Sequence, residues 1–492
     1  PYARLLAGSA DLGPARDTRV QLTAALRDDS RPARLVGWAR RQGLTVRWNP
    51  GHSWAIVEGP AEAVAQAFGV DVHDYRGQLG QVFYASGQQP SVPPSLRPEV
   101  SGLGRILGYT PHHVAAPWIV PAEVPDQGLT PQGLLRGYNV DSLRAAGFTG
   151  KGVTVVVFAF HGFDQADLDT FSTTFGLPKF TPEVVGDQLP GVGIEATMDL
   201  EVVHAIAPDA RTVIVNAQPT VEGDGGYEKI ARMLDDTAAR FPGAVWSFSL
   251  GWGCDRLATA TDMAPVREAL ADAHRTGTVA FDASGDVAGL NCKGGRDWSA
   301  PPGADDVGLD AVASVPEMTD VGGTSFSTDS RGGRLAEQAW FNVPLSIGSG
   351  GGVSALFERP PWQQELSVGS GAGRRLTPDV AAVADPLSGM KIVFNGQVVL
   401  GGGTSLAAPI WAGLAAVINQ FLPEHGGRLL GDLNPLLYRI ARGAPLPAFH
   451  DITVGGNAVD TAGPGYDLVT GLGTPDVEKL LPDLLAVQKT LE

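Results

Sequence analysis

The chain is predicted to be an α/β protein in which a mostly parallel sheet is flanked by helices on both faces, preceded by a smaller ferredoxin-like α+β unit. Two patterns predict it. From Gly152 on, short apolar runs at 153–160, 212–215, 245–250 and 279–281 alternate with helical stretches. Such runs mark strands buried on both faces. Before residue 108 the order is strand, helix, strand, strand, helix, strand, which is the ferredoxin-like order.

In chain order, 19–27 reads as a strand, 34–42 as a helix, 44–48 and 54–58 as strands, 61–68 as a helix and 70–75 as a strand. Residues 108–130 read as a linker, because Pro111, Pro117, Pro121 and Pro125 keep the stretch extended. The domains expected are therefore 1–107, a linker at 108–130, and 131–492. Near the end, 391–400 reads as a hairpin folded about Asn395-Gly396. The run 406–418 reads as a buried helix, with Pro409 tolerated in its first turn.

Composition narrows the function classes. At 492 residues, 43% hydrophobic and 18% charged, the chain can bury a large core. Sixty-four glycines and 37 prolines imply many tight turns and exclude a coiled coil. A net charge of −17 argues against nucleic acid as a partner. No uninterrupted apolar stretch of membrane-spanning length stands out, so no membrane partner is expected. The two cysteines, Cys254 and Cys292, each follow closely on a predicted strand end and are either a disulfide or two buried thiols.

The most informative segment is Gly403-Thr404-Ser405-Leu406-Ala407-Ala408-Pro409, a glycine turn, a serine and the start of an apolar helix. Helix N-termini favour developing negative charge, so a serine there is presented as a nucleophile; the plainer alternative is a serine that caps the helix. A nucleophile needs a base. Subtilisin-like proteases share the Gly-Thr-Ser-x-x-x-Pro pattern and use a histidine in a His-Gly-Thr-x-Val-Ala-Gly segment, which this chain lacks. Its His161-Gly162 and His425-Gly426 are followed by Phe163 and Gly427, and His204 lies in an apolar helical run as a core histidine. Glu195 and Asp199 are better placed. Four apart on a helix, they share a face, and carboxyls so close hold one proton between them. Taken alone, this pair also fits an exposed acidic helix face. A third carboxylate, Asp286, ends the run Val279-Ala280-Phe281-Asp282-Ala283-Ser284-Gly285-Asp286, a buried parallel strand emptying into a tight loop. Protonated, it can donate a hydrogen bond to an oxyanion, which ties activity to acid pH.

Together these residues resemble the sedolisins, or serine-carboxyl peptidases, of the kumamolisin-like kind. The resemblance covers nearly the whole chain. It implies a subtilisin-like fold, with Ser405 as nucleophile, Glu195 as general base and acid, Asp199 as its carboxylate partner and Asp286 in the oxyanion hole. Leu129-Thr130-Pro131-Gln132-Gly133 resembles the start of a mature domain, and Gly350-Gly351-Gly352-Val353-Ser354 and Pro378-Asp379-Val380 resemble further signature stretches. Two positions depart from the kumamolisin branch. Ala159 and Leu250 stand where an extra glutamate and a tryptophan extend the network behind the catalytic glutamate.

The glycine-rich loops at 451–455 and 463–467 suit calcium, which takes carboxylate and carbonyl oxygens at turns, although by spacing alone they are also ordinary turns. The resemblance implies one structural Ca2+ held by Asp451 and Asp467 side chains and by carbonyls of Ile452, Gly463 and Gly465. It further implies a secreted, monomeric proenzyme whose prodomain is an intramolecular inhibitor and folding aid, cut in the 108–130 linker. Any signal peptide is expected to lie outside this sequence. The expected activity is acid hydrolysis of protein or peptide substrates through an acyl-enzyme, by an endopeptidase. The alternatives are a tripeptidyl-peptidase of the same family, a neutral protease using an unrecognised histidine, and a catalytically silent binding homologue. Charge supports the zymogen. Residues 1–110 hold 12 arginines, no lysine and 9 acidic residues, a balance of +3, while the remaining 24 basic and 44 acidic residues leave −20.

Overall fold

A parallel strand covered on both sides must be apolar in both directions, and the run 153–160 is. In the computed structural model of the chain it forms the strand Thr154–Ala159, with Val155 and Val157 in one core and Val156 and Phe158 in another. The structure describes residues 1–490 apart from 17, 79, 115–119, 122–127, 294–301, 330–331, 344–346, 367 and 369–372, with the backbone alone at 113–114 and 120–121.

The central sheet has eight strands. Its order is Glu183–Val185, Arg211–Asn216, Thr154–Ala159, Val245–Phe248, Val279–Ala283, Thr319–Thr328 and Arg334–Ala339, and Val380–Val383 pairs with Thr319–Thr328 off this path. All pairings are parallel except that of Arg334–Ala339. On one face lie the helices Ile194–Ile206 and Thr404–Glu424, with Met198, Val203, Ile410 and Trp411 in the core between them and the sheet. The two helices cross closely at Gly413, where a Cβ would come 2.9 Å from that of Ile206. The helices Gly226–Arg240 and Ala264–Arg275 cover the other face. This is the α/β architecture expected from the sequence.

The hairpin forms as predicted, Met390–Phe394 with Gln397–Gly401, turning at Asn395 and Gly396, whose φ values are 51° and 72°. The helix after it differs from expectation in two ways. It begins at Thr404, so Pro409 is inside the helix and not in its first turn. Proline has no N–H to give the carbonyl four residues back, and that carbonyl, of Ser405, lies 3.2 Å from the Ser249 hydroxyl, which donates to it instead. The helix also runs to 21 residues, and an 18-residue stretch of it has a mean hydropathy of 1.4, long and apolar enough by composition to span a bilayer, which the expectation of no such uninterrupted stretch passes over. Its apolar surface is taken up by the core, with 89% of that stretch buried.

The N-terminal unit has a four-stranded antiparallel sheet, Thr45–Arg47, Trp54–Pro60, Arg19–Leu26 and Val100–Leu103 in spatial order. Helices Ala33–Arg41 and Ala61–Phe68 accompany it, with the Trp38 and Phe68 rings 5.3 Å apart. The order is ferredoxin-like, but its last strand is not 70–75. Residues His73–Arg76 join Ala10–Pro14 and Val82–Ala85 in a separate three-stranded sheet. The fourth strand, Val-Ser-Gly-Leu, is short and contains a glycine, so pairing with Arg19–Leu26 and burial of Val100 and Leu103 in the core recruit it to the sheet edge.

This unit docks on the helices Gly226–Arg240 and Ala264–Arg275. Arg47 donates to Glu228 at 2.8 Å, the Ser53 N–H to Glu268 at 2.9 Å and the Arg105 N–H to Asp262 at 3.0 Å. Beyond it, His113–Val114 pairs antiparallel with Leu250–Gly251, and Val120–Pro121 with Val399–Leu400. Pro117 and Pro125 of the linker lie outside the described residues. Cys254 and Cys292 form a disulfide, with Cα atoms 4.8 Å apart.

Candidate active site

Ser405 is the second residue of its helix, after Gly403. Its hydroxyl is buried without a hydrogen-bond partner, so it caps nothing. Gly403 is required on two counts. Its φ is 95°, and a Cβ there would lie 2.7 Å from Asp286 Oδ2. Asp286 arrives from the loop after Val279–Ala283 and is tied to the serine turn: its Oδ1 accepts from the Thr404 N–H at 2.7 Å and from Thr404 Oγ1 at 2.8 Å. Thr404 Oγ1 accepts in turn from the Gly285 N–H at 3.0 Å. Asp286 Oδ2 is left buried and unpartnered.

Glu195 and Asp199 lie in the first turns of Ile194–Ile206, a helix buried along its length. The exposed acidic face is thereby excluded. Both oxygens of Glu195 and Oδ2 of Asp199 have no partner, while Asp199 Oδ1 accepts from Ser249 Oγ at 3.0 Å. Burial first, then the charges of Asp199 and Asp286, hold the Glu195 carboxyl well above the usual range, and the nearby Ser405 hydroxyl pulls it down. Asp199 is also raised by burial, against the stabilising Ser249 and Glu195. The pair therefore retains a proton to high pH. Asp286 is pushed up to about 6 by burial, against its two bonds from Thr404.

The four residues singled out in the sequence thus meet, with three carboxyls and a hydroxyl that keep free lone pairs or protons. Such a group can accept a proton from Ser405 and can donate one from Asp286. Histidine is not among the groups acting on Glu195 or Asp199. His204 is a core histidine, as expected: its Nε2 lies 2.7 Å from the Pro178 carbonyl, its ring stacks on Phe180, and burial lowers it to about 4. Ala159 and Leu250 are both buried and apolar, so neither adds a polar group behind Glu195. Sequence reasoning missed Ser249. Its only signal is a serine at the end of an apolar strand, opposite no recognised motif.

The C-terminal loops also come together. The Gly465 N–H donates to Asp451 Oδ2 at 2.9 Å and the Gly463 N–H to Asp467 Oδ2 at 3.3 Å. Asp467 is buried and Asp451 exposed, and the groups named from the sequence, these two carboxylates and the carbonyls of Ile452, Gly463 and Gly465, are all oxygen, the chemistry a hard cation such as Ca2+ takes.

Comparison with known proteins places this geometry in a class and then in a family. Residues 21–106 match the family of the Pro-kumamolisin activation domain. The chain is 30% identical to kumamolisin of Bacillus sp. (strain MN-32) over 92% of this chain and 83% of that protein. It is 29% identical to tripeptidyl-peptidase 1 of Macaca fascicularis over 85% of this chain and 76% of that protein. Among solved structures, Pseudomonas sedolisin, a serine-carboxyl proteinase, covers 73% of this chain and 98% of its own, with a TM-score of 0.62 and 24% identity, a likeness of fold. The chain is a serine-type peptidase in zymogen form, with its inhibitory prodomain attached. It belongs to the sedolisin family and is kumamolisin-like.

Proposed function

We propose that the chain is a secreted, monomeric proenzyme of an acid-acting endopeptidase that uses Ser405, Glu195, Asp199 and Asp286. The observation that carries this reading is the set of buried, unpartnered polar atoms in one place: Ser405 Oγ, both oxygens of Glu195, Asp199 Oδ2 and Asp286 Oδ2. Buried polar atoms without partners are costly, and a fold retains them where a reaction needs them free. Glu195 takes the Ser405 proton as Oγ attacks the peptide carbonyl, with Asp199 sharing the charge change. Protonated Asp286 and backbone N–H groups hold the oxyanion, Glu195 protonates the leaving amine, and water repeats the sequence on the acyl-enzyme. The endopeptidase reading is supported by the backbone pairing of the linker with Leu250–Gly251, next to Ser249, and with Val399–Leu400, just before the serine turn. Extended chain is thus accepted on strands leading to the site from both directions. Mass spectrometry of the peptides released from one denatured protein tests it. Internal cuts are expected, and a ladder of tripeptides from the N-terminus would assign the exopeptidase alternative.

The pH dependence follows from Asp286. Its donor form exists below about 6, so activity should fall as pH rises through that value. An Asp286→Asn variant keeps a donor at every pH, and the activity it retains should lose less between acid and neutral pH. An unchanged relative profile would remove Asp286 from the oxyanion role.

Asp451 and Asp467, with the carbonyls of Ile452, Gly463 and Gly465, would hold one structural Ca2+. The ion would staple the C-terminal loops to the domain. Chelation, or Asp467→Ala, should lower Tm by an amount that grows with the calcium concentration of the reference sample. A Tm indifferent to both would leave the loops as plain turns.

A further inference from the structure

Asp199 needs a fixed orientation if one of its oxygens is to face Glu195, and the side chain that bonds its other oxygen is Ser249. Ala159 and Leu250 are each 2% exposed and have no polar side chain to offer. Ser249 is fully buried in the break between Val245–Phe248 and Leu250–Gly251, next to Leu250 in the chain. Its Oγ is 3.0 Å from Asp199 Oδ1 and 3.2 Å from the Ser405 carbonyl. The second contact exists because Pro409 cannot bond that carbonyl. A hydroxyl has one proton, so Ser249 donates to one of these acceptors at a time.

We propose that Ser249 is a positioning residue for the peptidase reaction, orienting Asp199 so that Oδ2 faces Glu195 while anchoring the backbone of the nucleophile. The inference rests on the Glu195–Asp199 reading and adds the group that joins the carboxyl pair to the serine helix. When Asp199 ionises, the Ser249 proton turns to it and stabilises the anion; when Asp199 takes the shared proton, the hydroxyl is free to turn to the Ser405 carbonyl. One rotor thus follows the proton.

The groups around this pair define what else could titrate with it. Asp199 acts on Glu195 from the same helix and Asp286 acts on it from the loop after Val279–Ala283. The helix Thr404–Glu424 brings the Ser405 hydroxyl, and the strand Thr154–Ala159 carries no charged residue. Further along the helix, Glu201 accepts from the Val393 N–H at 2.8 Å, and Asp167 accepts from the Asn395 and Gly396 N–H groups at 2.9 and 2.7 Å, so both are held at the hairpin that also carries Lys391. Arg144 bonds the Ala205 carbonyl and His204 faces Pro178, both at the far end. Ser249 is the group whose removal changes Asp199 directly.

The test compares self-processed wild type with Ser249→Ala and Ser249→Cys, measuring kcat from about pH 2 to 8 together with Tm. Ser249→Ala is expected to lower kcat roughly 10- to 100-fold, the loss of one charge-assisted hydrogen bond. The acid limb of its kcat profile should move to higher pH, because the Asp199 anion has lost a stabilising donor. Ser249→Cys, of similar size with a weak donor, should fall between. A packing role alone would lower Tm or kcat and leave the acid limb where it was. Wild-type kcat in Ser249→Ala, or a lowered kcat with an unmoved acid limb in both variants, overturns the proposal. A Glu195→Gln enzyme as active as wild type would instead remove the carboxyl pair itself.

Discussion

Ser405→Ala and Glu195→Gln are each expected to lower kcat by several orders of magnitude without loss of fold. A 10,000-fold loss corresponds to about 5.5 kcal/mol of transition-state stabilisation. Neither substitution removes a hydrogen bond to the rest of the fold, since the polar contacts of Ser405 Oγ and the Glu195 carboxyl are with each other and with Asp199. Glu195→Gln also replaces a buried ionisable group, whose carboxyl burial holds well above its ordinary range, by a neutral one of the same shape. Tm should therefore stay close to wild type while turnover disappears. The double variant should be little worse than either single one, because members of one catalytic unit fail together. His204→Ala is the control. Its ring bonds the Pro178 carbonyl roughly two and a half helical turns from Glu195, so stability is what it should cost. If His204→Ala abolished turnover and Glu195→Gln did not, the base would be a histidine.

The four site residues and half of the central sheet are legible in the sequence for a physical reason. Strands buried on both faces leave unbroken apolar runs, and Asn-Gly demands φ above zero at both hairpin positions, so four of the central sheet's eight strands and the hairpin before Ser405 are legible in the sequence, while Glu183–Val185, Thr319–Thr328, Arg334–Ala339 and Val380–Val383 are not. The site was readable because Glu195 and Asp199 are close in sequence and Ser405 and Asp286 sit at marked turns. What escaped depends on tertiary partners. Val100–Leu103 is a strand only because Arg19–Leu26 offers it an edge, while 70–75, with the stronger pattern, was drawn into another sheet. Ser249 carries no local signal, since its role comes from two acceptors 50 and 156 residues away. Pro409 misled because the helix start is set by Gly403 and its φ of 95°, which local propensity does not encode.

Acidification is expected to convert the full-length chain into a shorter form by its own active site, with the cut between residues 108 and 130. The contacts that dock the prodomain explain the trigger. Arg47 holds Glu228 below its ordinary range despite partial burial, and Asp306 is held low first by the Gly303 N–H of its own domain and then by Arg4, the part that belongs to docking. A carboxylate whose proton affinity is lowered by docking contributes affinity above its free pKa, and that contribution is lost as pH falls through the docked value. Glu268 and Asp262 accept prodomain backbone N–H groups, bonds that a carboxyl can accept whether protonated or not, so the trigger rests on the arginine pairs. Each surface pair is weak alone, but all act in one direction, from a segment of charge +3 to a remainder of −20. The residues at 115–119 and 122–127, 11 of the linker's 23, lie outside the described structure, but the backbone before and between them is paired to strands that lead to Ser405. Lowering the pH thus loosens the prodomain while the linker ends stay beside a site whose Asp286 has just become a donor. Wild type, Ser405→Ala and Glu228→Gln should be incubated in parallel from pH 7 to pH 3 and followed by gel and N-terminal mass. Wild type should shorten in acid to a form starting near Leu129 and remain full length at neutral pH. Ser405→Ala should remain full length throughout, and Glu228→Gln, which has lost the Arg47 pair at every pH, should begin to shorten at a higher pH than wild type. Equal persistence of wild type and Ser405→Ala, or equal cleavage of both, would show that processing is not the work of this active site.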